Sequence, residues 1–342
     1  MAALFGIDSG FGETQGRRDT MEDAHVVFDD ILAVENIGIT TVPGQRVSFY
    51  GVYDGHGGVD AAKLVQSELH KNVVSKAQFQ SGDIYAALSE GFAQTDDFIV
   101  TKSNEEGWMN GSTGVVSVLV DNKLYTANVG DSEACLVSEV DGALQTENLT
   151  VPHKASDPTE KKRVEELGGH VFFGRVFGAL AVSRSFGDSK FKKPKTSQNF
   201  VSCEPALHTS EIRPEHTFLI LACDGLWDVM NHAQAAAFAK SKIDEGQSAK
   251  EVAASLVSEA LRKKTEDNVT VIVVIFKQAG GAAASTATSS DKASATEESS
   301  SSEDKKVEAP ASPVKSNEPA YEELPSTPIT PSLPPSNFAE QE

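Results

Sequence analysis

The 342-residue sequence is poor in the features that mark several protein classes. It has three cysteines, which are Cys135, Cys203 and Cys223. Three unevenly spaced cysteines are too few for a disulfide framework or a thiolate zinc site, so we expect a reducing compartment. No run approaches the roughly 20 apolar residues that a bilayer span requires, and the amino terminus lacks the pattern of a signal peptide. The sequence therefore predicts no membrane partner and a location in the cytoplasm, the nucleus or both.

Basic side chains are also scarce. The chain has 30 Lys and Arg against 50 Asp and Glu, which gives a formal net charge of −20. Such a surface repels the phosphate backbone of nucleic acids unless a local basic patch compensates. The densest basic run, Lys190 to Lys195, is short, and its pattern is typical of a solvated loop. We therefore expect no nucleic-acid partner.

Apolar residues are few in the last part of the chain. Residues 279–342 hold 8 of the 14 prolines, and 11 acidic against 4 basic side chains. This Ala-, Ser-, Glu- and Pro-rich composition buries too little apolar surface to offset the entropy of ordering. We predict a folded domain over residues 1–278 and a disordered acidic tail over residues 279–342. Ser312, Thr327 and Thr330 of the tail each precede proline, as expected either for proline-directed phosphorylation or for a segment rich in these residues.

The first 278 residues combine short apolar runs with a few helical patterns. Runs rich in β-branched and aromatic residues predict strands at Val47 to Tyr53, Val115 to Val120, Leu124 to Val129, Ala134 to Val137, Phe218 to Ala222 and Thr270 to Phe276. Helical spacing and capping signals predict helices at Val59 to Val74, Ile84 to Val100, Ala233 to Lys240 and Ala249 to Leu261. Residues 168–203 have little periodicity and are predicted to form an irregular insertion. Because strands and helices do not alternate, we predict an α+β fold with sheets between layers of helices.

Acidic residues recur at the ends of the predicted strands, beside glycine or asparagine. Four of them are Asp54, Asp131, Asp224 and Asp267, and Glu22 and Asp23 form a further acidic pair. Each position alone has a structural explanation, since Asp-Gly is a common turn and Asp is a common cap. Together, they indicate carboxylates that converge at one edge of a sheet.

A carboxylate cluster without cysteine, and without a histidine pair at zinc spacing, suits Mg²⁺ or Mn²⁺. Two such ions lower the pKa of a bridging water and stabilise both oxygens of an in-line phosphoryl displacement. His56 lies in a glycine-flanked turn, two residues after Asp54. Imidazole suits a general acid near neutral pH, although such turns also accept histidine for its shape. Hydrolysis of a phosphate ester is therefore a candidate reaction.

Seven motifs, in order, resemble the metal-dependent protein phosphatases of the protein phosphatase 2C type. They are Q-G-R-R-D-T-M-E-D-A-H at 15–25, Y-G-V-Y-D-G-H-G-G at 50–58, G-S-T-G at 111–114, N-V-G-D-S at 128–132, A-V-S-R-S-F-G-D at 181–188, A-C-D-G-L-W-D-V-M at 222–230 and D-N-V-T-V at 267–271. The resemblance spans roughly Leu4 to Lys277. It implies a catalytic domain over residues 1–278, folded as a four-layer αββα sandwich of two antiparallel β-sheets packed face to face with helices on both outer faces. Residues 168–203 would then be the variable flap beside the active site.

The resemblance also implies a pair of Mg²⁺ or Mn²⁺ ions and the residues that hold them. Asp54 would bridge both ions. Asp224 and Asp267 would complete the coordination of one ion, and the carbonyl of Gly55 would contact the other. Glu22 would reach the second ion through water.

Further roles follow from the same resemblance. Asp23 would support the ligands from the second shell, and Asp131 and Asp228 would hold a weaker third ion. Arg18 would bind the substrate phosphate, because a guanidinium fork pairs two oxygens. His56 would protonate the leaving group.

The implied reaction is hydrolysis of phosphoserine and phosphothreonine in proteins by a hydroxide that bridges two ions, without a covalent phosphoenzyme. The implied partners are phosphorylated proteins, and a monomer is expected. A first alternative is a pseudophosphatase that only binds phosphoproteins, but its usual mark is the loss of a core aspartate, and Asp54, Asp224 and Asp267 are all present. A second alternative, a hydrolase of small phosphorylated metabolites, is compatible with the chemistry and is disfavoured by the family resemblance alone.

Overall fold

A computed structural model describes residues 5–33 and 46–278, and the predicted tail with its Ser-Pro and Thr-Pro dipeptides lies outside these residues. The strands are β1 (Phe5–Thr14), β2 (Ala24–Phe28), β3 (Val47–Tyr53), β4 (Gly55–His56), β5 (Gly111–Ser112), β6 (Gly114–Val120), β7 (Lys123–Val129), β8 (Glu133–Val140), β9 (Ala143–Asn148), β10 (Val171–Phe172), β11 (Arg175–Val176), β12 (Phe186–Gly187), β13 (Ala206–Glu211), β14 (His216–Ala222) and β15 (Val269–Gln278). The α-helices are α1 (Asp60–Val74), α2 (Ala77–Ser81), α3 (Ile84–Glu106), α4 (Pro158–Glu166), α5 (Asp224–Trp227), α6 (His232–Asp244) and α7 (Ala249–Arg262).

Two five-stranded antiparallel sheets form the centre of the molecule. One has the strand order β1-β15-β14-β8-β9, and the other has the order β13-β7-β6-β3-β2. Buried apolar side chains of both sheets meet between them, among them Tyr50, Leu119, Leu219 and Ile272. The two sheets therefore pack face to face.

Helices cover the outer face of each sheet. Leu69 of α1 and Phe92 of α3 pack with Val116 of β6, and Leu256 of α7 packs with Val271 of β15. Side chains alternate along a strand, so residues 271 and 273 of β15 face the helices while residues 272 and 274 face the other sheet. The α+β prediction and the implied αββα sandwich are confirmed. Within the described part of the chain, no helix combines the length and the apolar character needed to cross a bilayer.

Side-chain caps begin two of the helices. At the start of α7, Ser248 Oγ accepts a hydrogen bond from the Glu251 amide, and Glu251 Oε2 accepts one from the Ser248 amide at 2.8 Å. At the start of α4, Asp157 Oδ1 accepts a hydrogen bond from the Thr159 amide at 2.8 Å, and Pro158 occupies the first helical position. These contacts satisfy amides that have no partner within the helix.

The strand β1 was not predicted, because its sequence F-G-I-D-S-G-F-G-E-T contains three glycines and no continuous apolar run. It nevertheless pairs over its whole length with β15. A Cβ at Gly10 would lie 2.5 Å from the Lys250 backbone, and one at Gly12 would lie 2.8 Å from the Ala254 amide nitrogen. These glycines allow the strand to lie directly against α7, so they reflect close packing.

Smaller elements surround one end of the two sheets. A three-stranded sheet has the order β12-β5-β4, and β10 and β11 form a hairpin. Residues 168–203 contain this hairpin, the two-residue strand β12 and a short 3₁₀ helix at Ser189–Phe191. The rest of this segment consists of turns and irregular backbone.

Candidate active site

One cavity of about 250 Å³ lies where strand ends of both large sheets meet. Seven residues that the sequence analysis singled out line it, namely Arg18, Asp54, Gly55, His56, Asp131, Asp224 and Asp267. Thr113 and four residues of the segment 168–203, Arg175, Leu180, Ala181 and Val182, complete the lining. The fold thus brings together residues from all seven sequence motifs.

Asp54 follows the last residue of β3, and its backbone is tied to the next loop. The Asp54 amide donates to Thr113 Oγ1 at 3.3 Å, and the Thr113 amide donates to the Asp54 carbonyl at 2.9 Å. Thr113 Oγ1 in turn lies 2.6 Å from Ser132 Oγ, one residue after Asp131. These bonds connect the two loops that carry Asp54 and Asp131.

Asp23 lies behind Asp54 and does not line the cavity. The pairing of Ala24 with the last residue of β3 places Asp23 next to Asp54. Thr270 Oγ1 donates to Asp23 Oδ2 at 2.7 Å, which links the two large sheets. Burial raises the pKa of Asp23 to about 6. Its position agrees with the supporting role that the resemblance implies.

Cys223 is buried in the same cluster, and one ligand atom each of Asp23, Asp54 and Cys223 lie within 4.8 Å of one another. Its Sγ accepts a hydrogen bond from the Thr270 amide at 3.2 Å. Burial, and then the negative charges of Asp23 and Asp54, raise the pKa of Cys223 well above its ordinary value. Since a thiol binds metals as the thiolate, this environment favours a structural Cys223.

Asn268, which the sequence analysis did not single out, holds the segment that carries Arg18 and Glu22. Its Nδ2 donates to the carbonyls of Gln15 and Thr20 at 2.8 and 2.9 Å. Its Oδ1 accepts from the Glu22 amide at 2.9 Å. The clue in the sequence is that Asn268 directly follows the predicted ligand Asp267, but its hydrogen-bond partners are about 250 residues away.

Glu22 lies beside the backbone of the motif D-G-H-G-G. Its Oε2 accepts from the Gly58 amide at 3.1 Å, and its Oε1 accepts from Thr20 Oγ1 at 2.9 Å. A Cβ at Gly55 would lie 2.2 Å from the Glu22 carbonyl oxygen. This close approach of two backbones requires glycine at position 55, which lines the cavity.

Arg18 is exposed at the mouth of the cavity, and its Nη2 donates to Asp267 Oδ2 at 2.6 Å. The predicted phosphate-binding arginine therefore contacts a predicted metal ligand. Asp267 also accepts through Oδ1 from the Asn268 amide at 2.7 Å. These bonds orient the Arg18 side chain toward the carboxylate cluster.

The carboxylates of the cavity repel one another. Burial, and then the charges of Asp23 and Asp224, raise the pKa of Asp54 well above its ordinary value. Burial, and then the charges of Asp131 and Asp267, raise the pKa of Asp224 to about 7. A set of carboxylate oxygens of this kind fits a hard divalent cation such as Mg²⁺ or Mn²⁺.

Lys154 also contacts the site residues, although no motif in the sequence marks it. Its Nζ lies 3.9 Å from Asp131 Oδ2 and 3.8 Å from Asp228 Oδ1. Asp228 is exposed and does not line the cavity of about 250 Å³. It lines an adjacent cleft of about 560 Å³, which Arg18 also lines. The two residues predicted to hold a third ion are therefore bridged by an ammonium group.

His56 forms a hydrogen bond with Asp188, since its Nε2 lies 2.7 Å from Asp188 Oδ2. Burial favours the neutral imidazole, but the charge of Asp188 and this hydrogen bond raise the pKa of His56 above its ordinary value. An imidazole that holds its proton near neutral pH suits a general acid.

Comparison with known proteins gives matches to one family. The family described as "Protein phosphatase 2C" matches residues 7–269. Protein spalten of Dictyostelium discoideum is 40% identical over 275 residues, which cover 77% of this chain and 27% of that protein. The probable protein phosphatase 2C 8 of Arabidopsis thaliana is 35% identical over 284 residues, which cover 78% of each chain.

A solved structure agrees in fold as well. The crystal structure of a serine-threonine phosphatase 2C from Toxoplasma gondii aligns with a TM-score of 0.68 and 25% identity, covering 79% of this chain and 95% of that one. The motifs, the sandwich of two sheets and these matches lead to one conclusion. The chain belongs to the protein phosphatase 2C family.

Proposed function

We propose that this chain is a metal-dependent serine/threonine protein phosphatase that hydrolyses phosphoserine and phosphothreonine in proteins. The observation that carries the proposal is the single cavity that joins four aspartates, Arg18 and His56. Family membership supports it independently. We further propose that the protein acts as a monomer in the cytoplasm, the nucleus or both.

Two ions of the Mg²⁺ or Mn²⁺ type fit the donor set. We assign Asp54 as the ligand shared by both, Asp224 and Asp267 to one ion, and the Gly55 carbonyl and, through water, Glu22 to the other. When bound, these ions supply a water of lowered pKa and the positive charge that an in-line phosphoryl displacement requires, without a covalent phosphoenzyme.

A weaker third ion would be held by Asp131 and Asp228. Lys154 already lies between their carboxylates, so an ion there competes with its ammonium group. This competition is consistent with weak binding. Asp23, hydrogen-bonded to Thr270, would keep the neighbouring ligands in place from behind.

The chain's own side chains then have two tasks. Arg18 would bind two oxygens of the substrate phosphate through its guanidinium fork, and it is accessible because it lines the cavity with an exposed side chain. His56 donates a proton to the departing alkoxide of serine or threonine, which is a poor leaving group without protonation.

The two alternatives make different predictions. A pseudophosphatase would bind phosphopeptides without turnover, and a metabolite hydrolase would prefer small phosphate esters to peptides. Asp54, Asp224 and Asp267 are present and converge in the cavity with the residues above. The full set of implied ligands favours an active enzyme.

A direct test is phosphate release by the full-length chain from a panel of phosphoserine and phosphothreonine peptides, with small sugar phosphates for comparison. We expect turnover of the peptides with added Mn²⁺ or Mg²⁺ and none in EDTA. Binding without turnover would support the pseudophosphatase. Faster turnover of the sugar phosphates would support the metabolite hydrolase.

A further inference from the structure

The imidazole of His56 is held by a buried carboxylate that is neither a predicted metal ligand nor a predicted substrate-binding group. Asp188 ends the motif A-V-S-R-S-F-G-D, and it is 1% exposed. Its Oδ2 lies 2.7 Å from His56 Nε2 and accepts a hydrogen bond from Ser185 Oγ at 2.6 Å. We propose that Asp188 is a positioning residue that keeps Nε2 of His56 protonated and turns Nδ1 toward the substrate. The proposal rests on the phosphatase function proposed above and deepens it by naming the atom that carries the transferred proton.

The three-stranded sheet builds this pair from distant parts of the chain. Gly111 of the central strand β5 pairs with His56 of β4 on one side and with Gly187 of β12 on the other. The Asp188 amide continues this pairing, because it donates to the Asn110 carbonyl at 3.0 Å. The sheet therefore places the residue after Gly187 beside the imidazole, although 132 positions separate His56 from Asp188.

The backbone of β5 packs directly on the pair. A Cβ at Gly111 would lie 2.2 Å from Asp188 Oδ2 and 2.6 Å from His56 Nε2. These distances are far below a van der Waals contact, so no other residue fits at position 111 without moving one of the two side chains. The close contact with the His56–Asp188 pair thus explains why the first residue of the G-S-T-G motif is glycine.

The turn that presents Asp188 is unusual and firmly held. Asp188 has φ of +50° and Gly187 has φ of +71°, and the left-handed region is uncommon for residues other than glycine. Buried Asp96 accepts from the Gly187 amide at 2.8 Å and from Lys192 Nζ at 2.7 Å. Lys192 also donates to the Ser185 carbonyl at 2.7 Å. Uncommon backbone that its surroundings enforce in this way is a feature of functional sites.

The hydrogen bond determines the tautomer of His56. A carboxylate only accepts hydrogen bonds, so Nε2 of His56 is the donor to Asp188. His56 lines the cavity, and Nδ1 is the ring nitrogen left for the substrate. As the bond between phosphorus and the leaving oxygen breaks, that oxygen takes the Nδ1 proton, and the ring becomes neutral while Nε2 keeps its proton and its bond to Asp188.

The first test is Asp188→Asn in the full-length protein with Mn²⁺. Asn keeps the size of the side chain but can turn its NH₂ toward Nε2, which permits the other tautomer. A general acid contributes about 10²–10⁴ in rate, and we expect loss of positioning to remove about tenfold to a hundredfold of kcat for phenyl phosphate, with KM unchanged. For p-nitrophenyl phosphate, whose leaving group needs little protonation, we expect a loss of about threefold or less.

Two further variants separate positioning from folding. In a His56→Gln background, Asp188→Asn should cause no additional loss of kcat for phenyl phosphate, because the residue acts through the imidazole. Asp96→Asn removes the other buried carboxylate of the same turn, which does not touch His56, and should affect both esters equally. Equal losses for both esters in Asp188→Asn, or additive losses with His56→Gln, would overturn the proposal.

The second test does not depend on activity or on a variant that folds. Long-range ¹H–¹⁵N NMR of the wild-type protein, with and without Mg²⁺, at a pH where the ring is neutral, should show the His56 proton on Nε2. A neutral ring protonated on Nδ1 would overturn the assignment. If the wild type with Mn²⁺ hydrolyses neither ester, the proposed phosphatase function is wrong, and Nδ1 then has no role as proton donor. If the wild type is active but Asp188→Asn loses kcat equally for both esters, only the role of Asp188 is refuted.

Discussion

A buried cluster of charged side chains surrounds Glu160. Glu160 of α4 is 5% exposed, and its carboxylate accepts from Arg184 Nη2 at 2.7 Å, Ser183 Oγ at 2.7 Å and Arg163 Nε at 3.1 Å. Burial opposes its charge, but the hydrogen bonds from Arg184 and Ser183 and the charge of Arg163 lower the pKa of Glu160 to about 2. This cluster joins α4 to the segment 168–203, which forms part of the cavity wall.

Replacing Glu160 by Gln leaves two guanidinium groups without their counter-charge. Lowering the pKa of Glu160 from 4.5 to about 2 corresponds to about 3 kcal/mol of stabilisation of the folded state at pH 7. This value lies within the range measured when one partner of a buried ion pair is removed. We therefore expect Glu160→Gln to lower the free energy of unfolding by about 3 kcal/mol in urea titrations at pH 7.

The pH dependence gives the sharper test. A lowered folded-state pKa contributes stability that is fully present above the unfolded-state pKa and is lost as the pH falls toward the folded-state value. The difference in the free energy of unfolding between wild type and Glu160→Gln should therefore decrease to about 1 kcal/mol at pH 3. The control is Glu165→Gln on the same helix, where the half-exposed pair with Lys161 at 3.8 Å should be worth about 0.5 kcal/mol or less. An equal difference at pH 7 and pH 3 would refute the reasoning.

Three further predictions concern residues around the cavity. Lys154→Met removes the ammonium group between Asp131 and Asp228. Calorimetric titration with Mn²⁺ should therefore show about fivefold tighter binding at the weakest site, and an unchanged affinity would contradict the proposed competition. Asn268→Ala removes three hydrogen bonds of about 1 kcal/mol each, so it should lower the free energy of unfolding in urea by about 3 kcal/mol and reduce kcat/KM. An unfolding free energy equal to that of the wild type would show that these bonds do not hold the segment that carries Arg18 and Glu22. Gly225→Ala places a Cβ 1.9 Å from the Asn268 carbonyl oxygen and should lower the stability measured by thermal unfolding by about 1–3 kcal/mol. The control Gly6→Ala, whose Cβ has its nearest contact at 3.5 Å, should lower the stability less. A larger loss of stability in Gly6→Ala than in Gly225→Ala would contradict the packing argument.

Local signals in the sequence were enough to predict much of the fold. The run Val47 to Tyr53 coincides with β3, and the capping box at Ser248 starts α7 at the expected residue. These predictions succeed because the apolar pattern or the cap lies within the element itself. The strand β1 was missed because its glycines reflect contact with α7, which is more than 200 residues away in the sequence.

In the candidate site, too, residues marked by local sequence signals were predicted, and residues that act through long-range contacts were not. Asp54 and Asp224 were predicted because each directly follows a strong strand, so local order places them at a sheet edge. Asn268 and Asp188 were given no role, because their importance lies in hydrogen bonds to residues 246 and 132 positions away, respectively. The hydrogen bond of Arg18 to Asp267 was likewise not predicted, since it depends on a contact between the amino-terminal loop and the start of β15.

We propose that Asp54 holds the catalytic metal ions where strand ends of the two large sheets meet. The most direct measurement is phosphate release from a phosphothreonine peptide by wild type and Asp54→Asn at saturating Mn²⁺, with circular dichroism to verify that both are folded. We predict that the folded variant loses essentially all turnover. A folded Asp54→Asn protein with the wild-type rate would contradict the account.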